Sequence, residues 1–206
     1  FESLLLCRLY IGLLLIAFNH QMVIVKIESL KTNNNMPVHG LDGIHAKFDN
    51  GYITIYFIES KLAPSANDAA KEYSKSVANF TGNRKQYLKE FNIITDLSNL
   101  DSLAPEHNQE ILDYFDVYSS KVVHKKERHV GVLCYSEKAY QKKINVLPET
   151  HPTVHEDAFR ERYLKEYSHH QGALKKHLEI SAANVEKCSA YFVALPSIDN
   201  LRDKFG

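Results

Sequence analysis

Hydrophobic and polar residues alternate in two blocks that meet at Asn50-Gly51, within the stretch 40–61, GLDGIHAKFDNGYITIYFIESK. Alternation with period two predicts strands, and Asn-Gly between two such runs predicts a type I′ hairpin turn, which needs φ > 0 at both central positions. That turn fixes a register: Asp49 opposite Tyr52, Phe48 opposite Ile53, Ala46 opposite Ile55, Ile44 opposite Phe57, and Asp42 opposite Glu59. Successive side chains point to opposite faces. One face therefore carries Ile44, Ala46, Phe48, Ile53, Ile55 and Phe57, with Asp42, Glu59 and Lys61 at its open end. The other carries His45, Lys47, Asp49, Tyr52, Thr54 and Tyr56 and reads as the wetter face.

Residues 2–18 hold Leu4, Leu5, Leu9, Leu13 and Ile16 at helical spacing and are apolar nearly all round, as in a helix buried against a sheet. The β-branched run 22–29 predicts a strand that includes Lys26, a snorkelling lysine or a second base near the site. The Asn-rich segment 31–37 reads as a loop. After the hairpin, Pro64-Ser65 opens a helix, with Ser65 and Asp68 placed like a capping box. Its apolar stripe is Ala66, Ala69, Ala70, Tyr73, Val77 and Phe80, with Lys71 and Lys75 off the stripe. Thr81-Gly82-Asn83 breaks it.

Helices are expected over 87–97 and 109–123, joined by a polar connection around Pro105. The run HKKERH at 124–129 reads as a solvated loop, or as a basic patch touching a nucleic-acid backbone or a partner. VGVLCY at 130–135 is a buried strand, and 148–152 is a loop. A long helix is expected over 156–182, with Phe159, Tyr163, Tyr167, Leu174 and Leu178 on its apolar side, and a last strand over 187–195. His169, His170 and His177 lack the carboxylate spacing of an HExxH metal helix. The expected architecture is one α/β domain over 1–206, a mixed central sheet with helices on both faces.

Composition narrows the chemistry. The 206 residues, 44% of them hydrophobic, suit a single domain with a full core. The formal net charge is zero, so any nucleic-acid surface must be local. Cys7, Cys134 and Cys188 are scattered in apolar surroundings, as reduced thiols of a cytoplasmic protein are. The apolar run 9–18 is too short to span a membrane, and the chain does not start with Met, which implies a truncated or processed start. There is no P-loop, dinucleotide fingerprint or nucleophile elbow in the sequence.

Two carboxylates at one hairpin end, with a lysine two residues on, repel unless something holds them. A hard divalent cation is one reason for such a pair, and the lysine would sit where a phosphate gains charge. A simple ion pair between Glu59 and Lys61 at a sheet end is the other.

The set Asp42, Glu59-Ser60-Lys61 looks like the PD-(D/E)xK nuclease motif. With Gly40-Leu41-Asp42-Gly43-Ile44-His45 before it, the Ala-rich helix after it, and Tyr191-Phe192-Val193-Ala194-Leu195-Pro196 then Leu201-Arg202 at the end, the chain resembles the DUF1837 family, the HamA effector subunits of Hachiman antiphage defence. The resemblance implies a restriction-endonuclease-like core and a DNA nuclease beside a helicase subunit. It implies Mg²⁺ or Mn²⁺ held by Asp42, Glu59 and the carbonyl of Ser60, with Lys61 orienting the attacking water and Glu2 completing the site. A catalytically inactive scaffold that binds helicase and DNA is the alternative, and RNA as substrate stays open.

Overall fold

The computed structural model of the chain describes residues 21–25, 42–49, 52–82, 104–116, 124–136 and 152–195. The expected helix over 2–18, the expected helix over 87–97, Lys26, Cys7 and the Asn50-Gly51 turn lie outside the described residues.

The strands are β1 (Gln21–Val25), β2 (Gly43–Asp49), β3 (Tyr52–Ala63), β4 (His124–Ser136) and β5 (Cys188–Leu195). They form one five-stranded sheet in the order β1-β2-β3-β4-β5. The first two junctions are antiparallel and the last two parallel, so the sheet is mixed. The hairpin register is the expected one from Asp49 opposite Tyr52 through Ile44 opposite Phe57, and it ends at Gly43 opposite Ile58.

The helices are α1 (Ala66–Gly82), α2 (Pro105–Phe115) and α3 (Pro152–Ile180). Ser65 caps α1: its hydroxyl accepts the Asp68 N–H at 3.1 Å and donates to the Asp68 carboxylate at 2.6 Å. The whole expected stripe of α1 is buried. Its alanines let the helix lie close on β3 and β4, where Ala63, Leu133, Tyr135 and Phe192 complete a core shared with Leu174 and Leu178 of α3. The Phe48–His107 stack, centroids 3.8 Å apart, sets α2 against the same face. The face that carries Ile44, Ile55 and Phe57 is thus the one the described helices cover.

Four expectations need correction. Pro105 is not in a connection but opens α2, because a proline at the first helical position loses no hydrogen bond. Pro152 likewise begins α3 rather than ending a loop. HKKERH is the first half of β4, not a loop, since pairing with β3 outweighs the strand cost of its charges and alternation sends them to both faces. Tyr167 is exposed, not on the apolar side of α3.

The face expected to be wet is wet only at one end. Tyr52 is exposed, but His45 is buried, and Ile58, Val130, Val132 and Cys134 form a second core there. A strand paired on both edges and dry on both faces is how parallel junctions are usually housed.

Candidate active site

Asp42 stands just outside the ladder. Its N–H donates to the Ile58 carbonyl at 3.0 Å, although Gly43 is the ladder partner of Ile58. Two residues against one is the geometry of a β-bulge. The expected direct pairing of Asp42 with Glu59 is therefore replaced by another contact: Asp42 Oδ2 accepts the Ser60 N–H at 2.6 Å. In an extended strand the N–H and C=O of one residue point to the same side. The Ser60 carbonyl thus points off β3 toward the Asp42 carboxylate, past the end of β2.

Glu59 faces α1 and is 8% exposed. The Lys61 ammonium donates to Glu59 Oε1 along the same face of β3. Burial pushes the Glu59 pKa up. The Lys61 charge pulls it down, the Asp42 charge pushes it up, and hydrogen bonds from Lys61 and the Ser76 side chain favour the ionised form. Burial outweighs the rest, so the Glu59 carboxyl is held above the ordinary carboxylate range.

Two residues of α1, Ser76 and the stripe residue Tyr73, shape this spot, and sequence reasoning did not place either of them at the site. Ser76 reaches Glu59 from the helix. Its signal was a small hydroxyl beside Val77 at the edge of the buried stripe. Tyr73 is fully buried, donates its hydroxyl to the Ser189 carbonyl at 3.1 Å, and packs over Gly131. Gly131 is the β4 partner of Glu59. A Cβ there would lie 3.0 Å from two ring carbons of Tyr73, so a larger residue would force the ring and α1 to give by a few tenths of an ångström.

The oxygens of Asp42, Glu59 and Ser60 suit a hard cation. The donor set carries two negative charges against one lysine, and Mg²⁺ commonly takes one or two carboxylates and keeps its waters. Among the described residues no group of three or more His, Cys, Asp or Glu comes together around a metal. Asp42, Glu59 and the Ser60 carbonyl are, among the described residues, the oxygens this site offers an ion. Glu2 lies outside the described residues.

The other candidates are elsewhere. Lys71 and Lys75 are exposed on α1, off the buried stripe. His170 is buried against the Tyr135 hydroxyl at 3.0 Å, and His177 meets Asn67 at 3.0 Å. Cys134 and Cys188 are free thiols whose pKa values burial pushes up. No helix among the described residues is long and apolar enough to cross a membrane.

No curated protein and no solved structure matches the chain. The family model of HamA matches residues 13–206, a span that takes in Asp42 and β2, the Glu59-Ser60-Lys61 strand, α1 over the site and the closing strand β5. The chain belongs to the HamA family.

Proposed function

We propose that this chain is a metal-dependent deoxyribonuclease of the PD-(D/E)xK type. Membership in the HamA family suggests a subunit of a Hachiman antiphage defence system. The nuclease activity, and a helicase subunit as its partner, are our reading of the site and of the resemblance. The observation that carries it is the buried Glu59 carboxylate, held between Lys61 and Ser76 and raised in pKa beside Asp42. Holding a buried carboxylate beside a second, half-buried one costs free energy that a bound cation would offset.

Asp42, Glu59 and the Ser60 carbonyl would hold Mg²⁺ or Mn²⁺. When bound, the ion polarises the scissile phosphate and makes a water more acidic. Lys61 would place its ammonium on the attacking water or on the phosphate oxygen that gains charge. Ser76 would hold the Glu59 carboxylate in place, and the packing of Tyr73 on Gly131 sets how closely α1 lies over it.

The test is plasmid nicking by the purified chain in Mg²⁺ or Mn²⁺, with Glu59→Gln alongside, alone and with the helicase subunit. Cutting that Glu59→Gln lacks supports the reading. No cutting in either setting would reject it. A labelled RNA run in parallel separates the two substrate classes.

The Lys61–Glu59 ion pair favours a second reading, a non-cutting scaffold, because it neutralises the buried charge without a metal. A scaffold would show no Mg²⁺- or Mn²⁺-dependent shift in melting temperature.

A further inference from the structure

The sheet face away from α1 presents a different chemistry at its Tyr52 end. Alternation along β4 sends Lys126 and Arg128 to this face and Glu127 and His129 to the other. Lys47 of β2, Thr54 of β3 and Lys126 of β4 are successive partners in one row across the sheet. Beside that row, Lys126 Nζ lies 5.0 Å from the centroid of the Tyr52 ring. Tyr56 is the β4 partner of Arg128, and both the Arg128 charge and Tyr191 of β5 act on its hydroxyl. Lys126 and Arg128 are exposed, Tyr52 is 45% exposed and Tyr191 is 37% exposed.

The edge of the sheet extends this face. β5 begins opposite His129, so residues 124–128 have no partner on β5. There an open concavity of about 530 Å³ is lined by Lys126, Arg128 and Lys187, with Asn184, Glu127 and Glu186. Glu127 is engaged by Lys187 at 3.5 Å, and Arg128 donates to the Glu186 backbone carbonyl, which leaves further guanidinium donors.

We propose that this face binds single-stranded nucleic acid, with phosphates along Lys47, Lys126 and Arg128 and bases stacked on Tyr52 and Tyr191. In a chain with no net charge, cations gathered around exposed tyrosines at the wet end of a sheet face are the recurring equipment of single-strand binders. Duplex readout instead needs an element that enters a groove, and the described residues of this face offer none. The surface lies on the opposite side of the sheet from Glu59 and does not depend on the nuclease reading.

The experiment is a polarisation titration of the whole chain with labelled oligothymidylate in EDTA, which removes catalysis. Saturable binding is expected, with a log–log salt slope of about −2 for three phosphate contacts. Lys126→Gln with Arg128→Gln should weaken binding at least about tenfold, and Tyr52→Ala about fivefold or more. Binding read in EDTA needs no cleavage, so failure of the nuclease reading leaves this result intact. Lys126, Arg128 and Tyr52 are exposed, and unchanged melting curves show that these variants fold. The proposal is overturned by absence of binding at low salt, by the double glutamine variant binding within twofold of the parent, or by tighter binding to the matched duplex. An unaffected Tyr52→Ala would overturn the stacking mode.

Discussion

Asp42 reaches Ser60, not Glu59: its carboxylate accepts the Ser60 N–H at 2.6 Å from outside the β2–β3 ladder. That contact gives Asp42 a structural task that can be separated from metal binding. Asp42→Asn keeps an oxygen for the Ser60 N–H, whereas Asp42→Ala leaves the donor unmet at a cost of about 1–3 kcal/mol. Chemical denaturation should show the alanine variant clearly weaker and the asparagine variant close to the parent. Both should lose any metal-dependent rise in melting temperature. A metal response retained by Asp42→Asn would remove Asp42 from the ligand set.

Glu59→Gln should stabilise the metal-free protein at neutral pH while lowering metal-dependent cutting at least about a hundredfold. The sign follows from linkage. The folded pKa of Glu59 lies above the ordinary carboxylate value because burial disfavours the ion. Its contribution to stability is complete below the unfolded pKa and is lost as pH rises through the folded one. Melting curves of parent and variant should therefore diverge as pH rises from acid to neutral, and Mg²⁺ should narrow the gap. Parallel curves across that range would refute the assignment.

His129 works in the opposite direction. It is 4% exposed and packed against Phe57 and Phe80 at centroid distances of 5.3 and 5.9 Å. Burial pushes its pKa down to about 4, with Glu127 opposing and Lys187 adding to the shift. A depressed pKa gives stability that is present above the unfolded value of 6.5 and is lost as pH falls toward 4. The loss is of the order of 3 kcal/mol. Replacing His129 with Gln should flatten the acid limb of the stability curve between those values. An acid limb of unchanged slope would show that other groups drive it.

Gly131→Ala should destabilise the fold by about 1–3 kcal/mol, because the added methyl overlaps the Tyr73 ring. Pairing it with Tyr73→Leu removes part of that overlap, so the double variant should lose less than the sum of the two singles. Simple additivity would mean that the ring and the glycine do not set the helix–sheet distance together.

The hairpin, its register and the α1 stripe were legible in the sequence because each rests on a local rule. Asn50-Gly51 names the turn, period two names the faces, and Ala66 through Phe80 repeats at helical spacing. HKKERH was misread because its charges say solvent while its place beside β3 says strand, and pairing between strands is not a local property. Pro105 and Pro152 were read as breaks although proline serves equally at a helix start.

The candidate site divides along the same line. The sequence by itself determined that Asp42, Glu59 and Lys61 come to one end of one hairpin, since a two-residue turn leaves the register no other choice. Only the tertiary structure decided that a bulge moves Asp42 onto Ser60, that Ser76 meets Glu59, and that Tyr73 closes over Gly131. Those depend on how closely α1 lies on a sheet whose parallel strands are far apart in the chain. Burial, and with it the raised pKa of Glu59, is a property of that packing and of no segment alone.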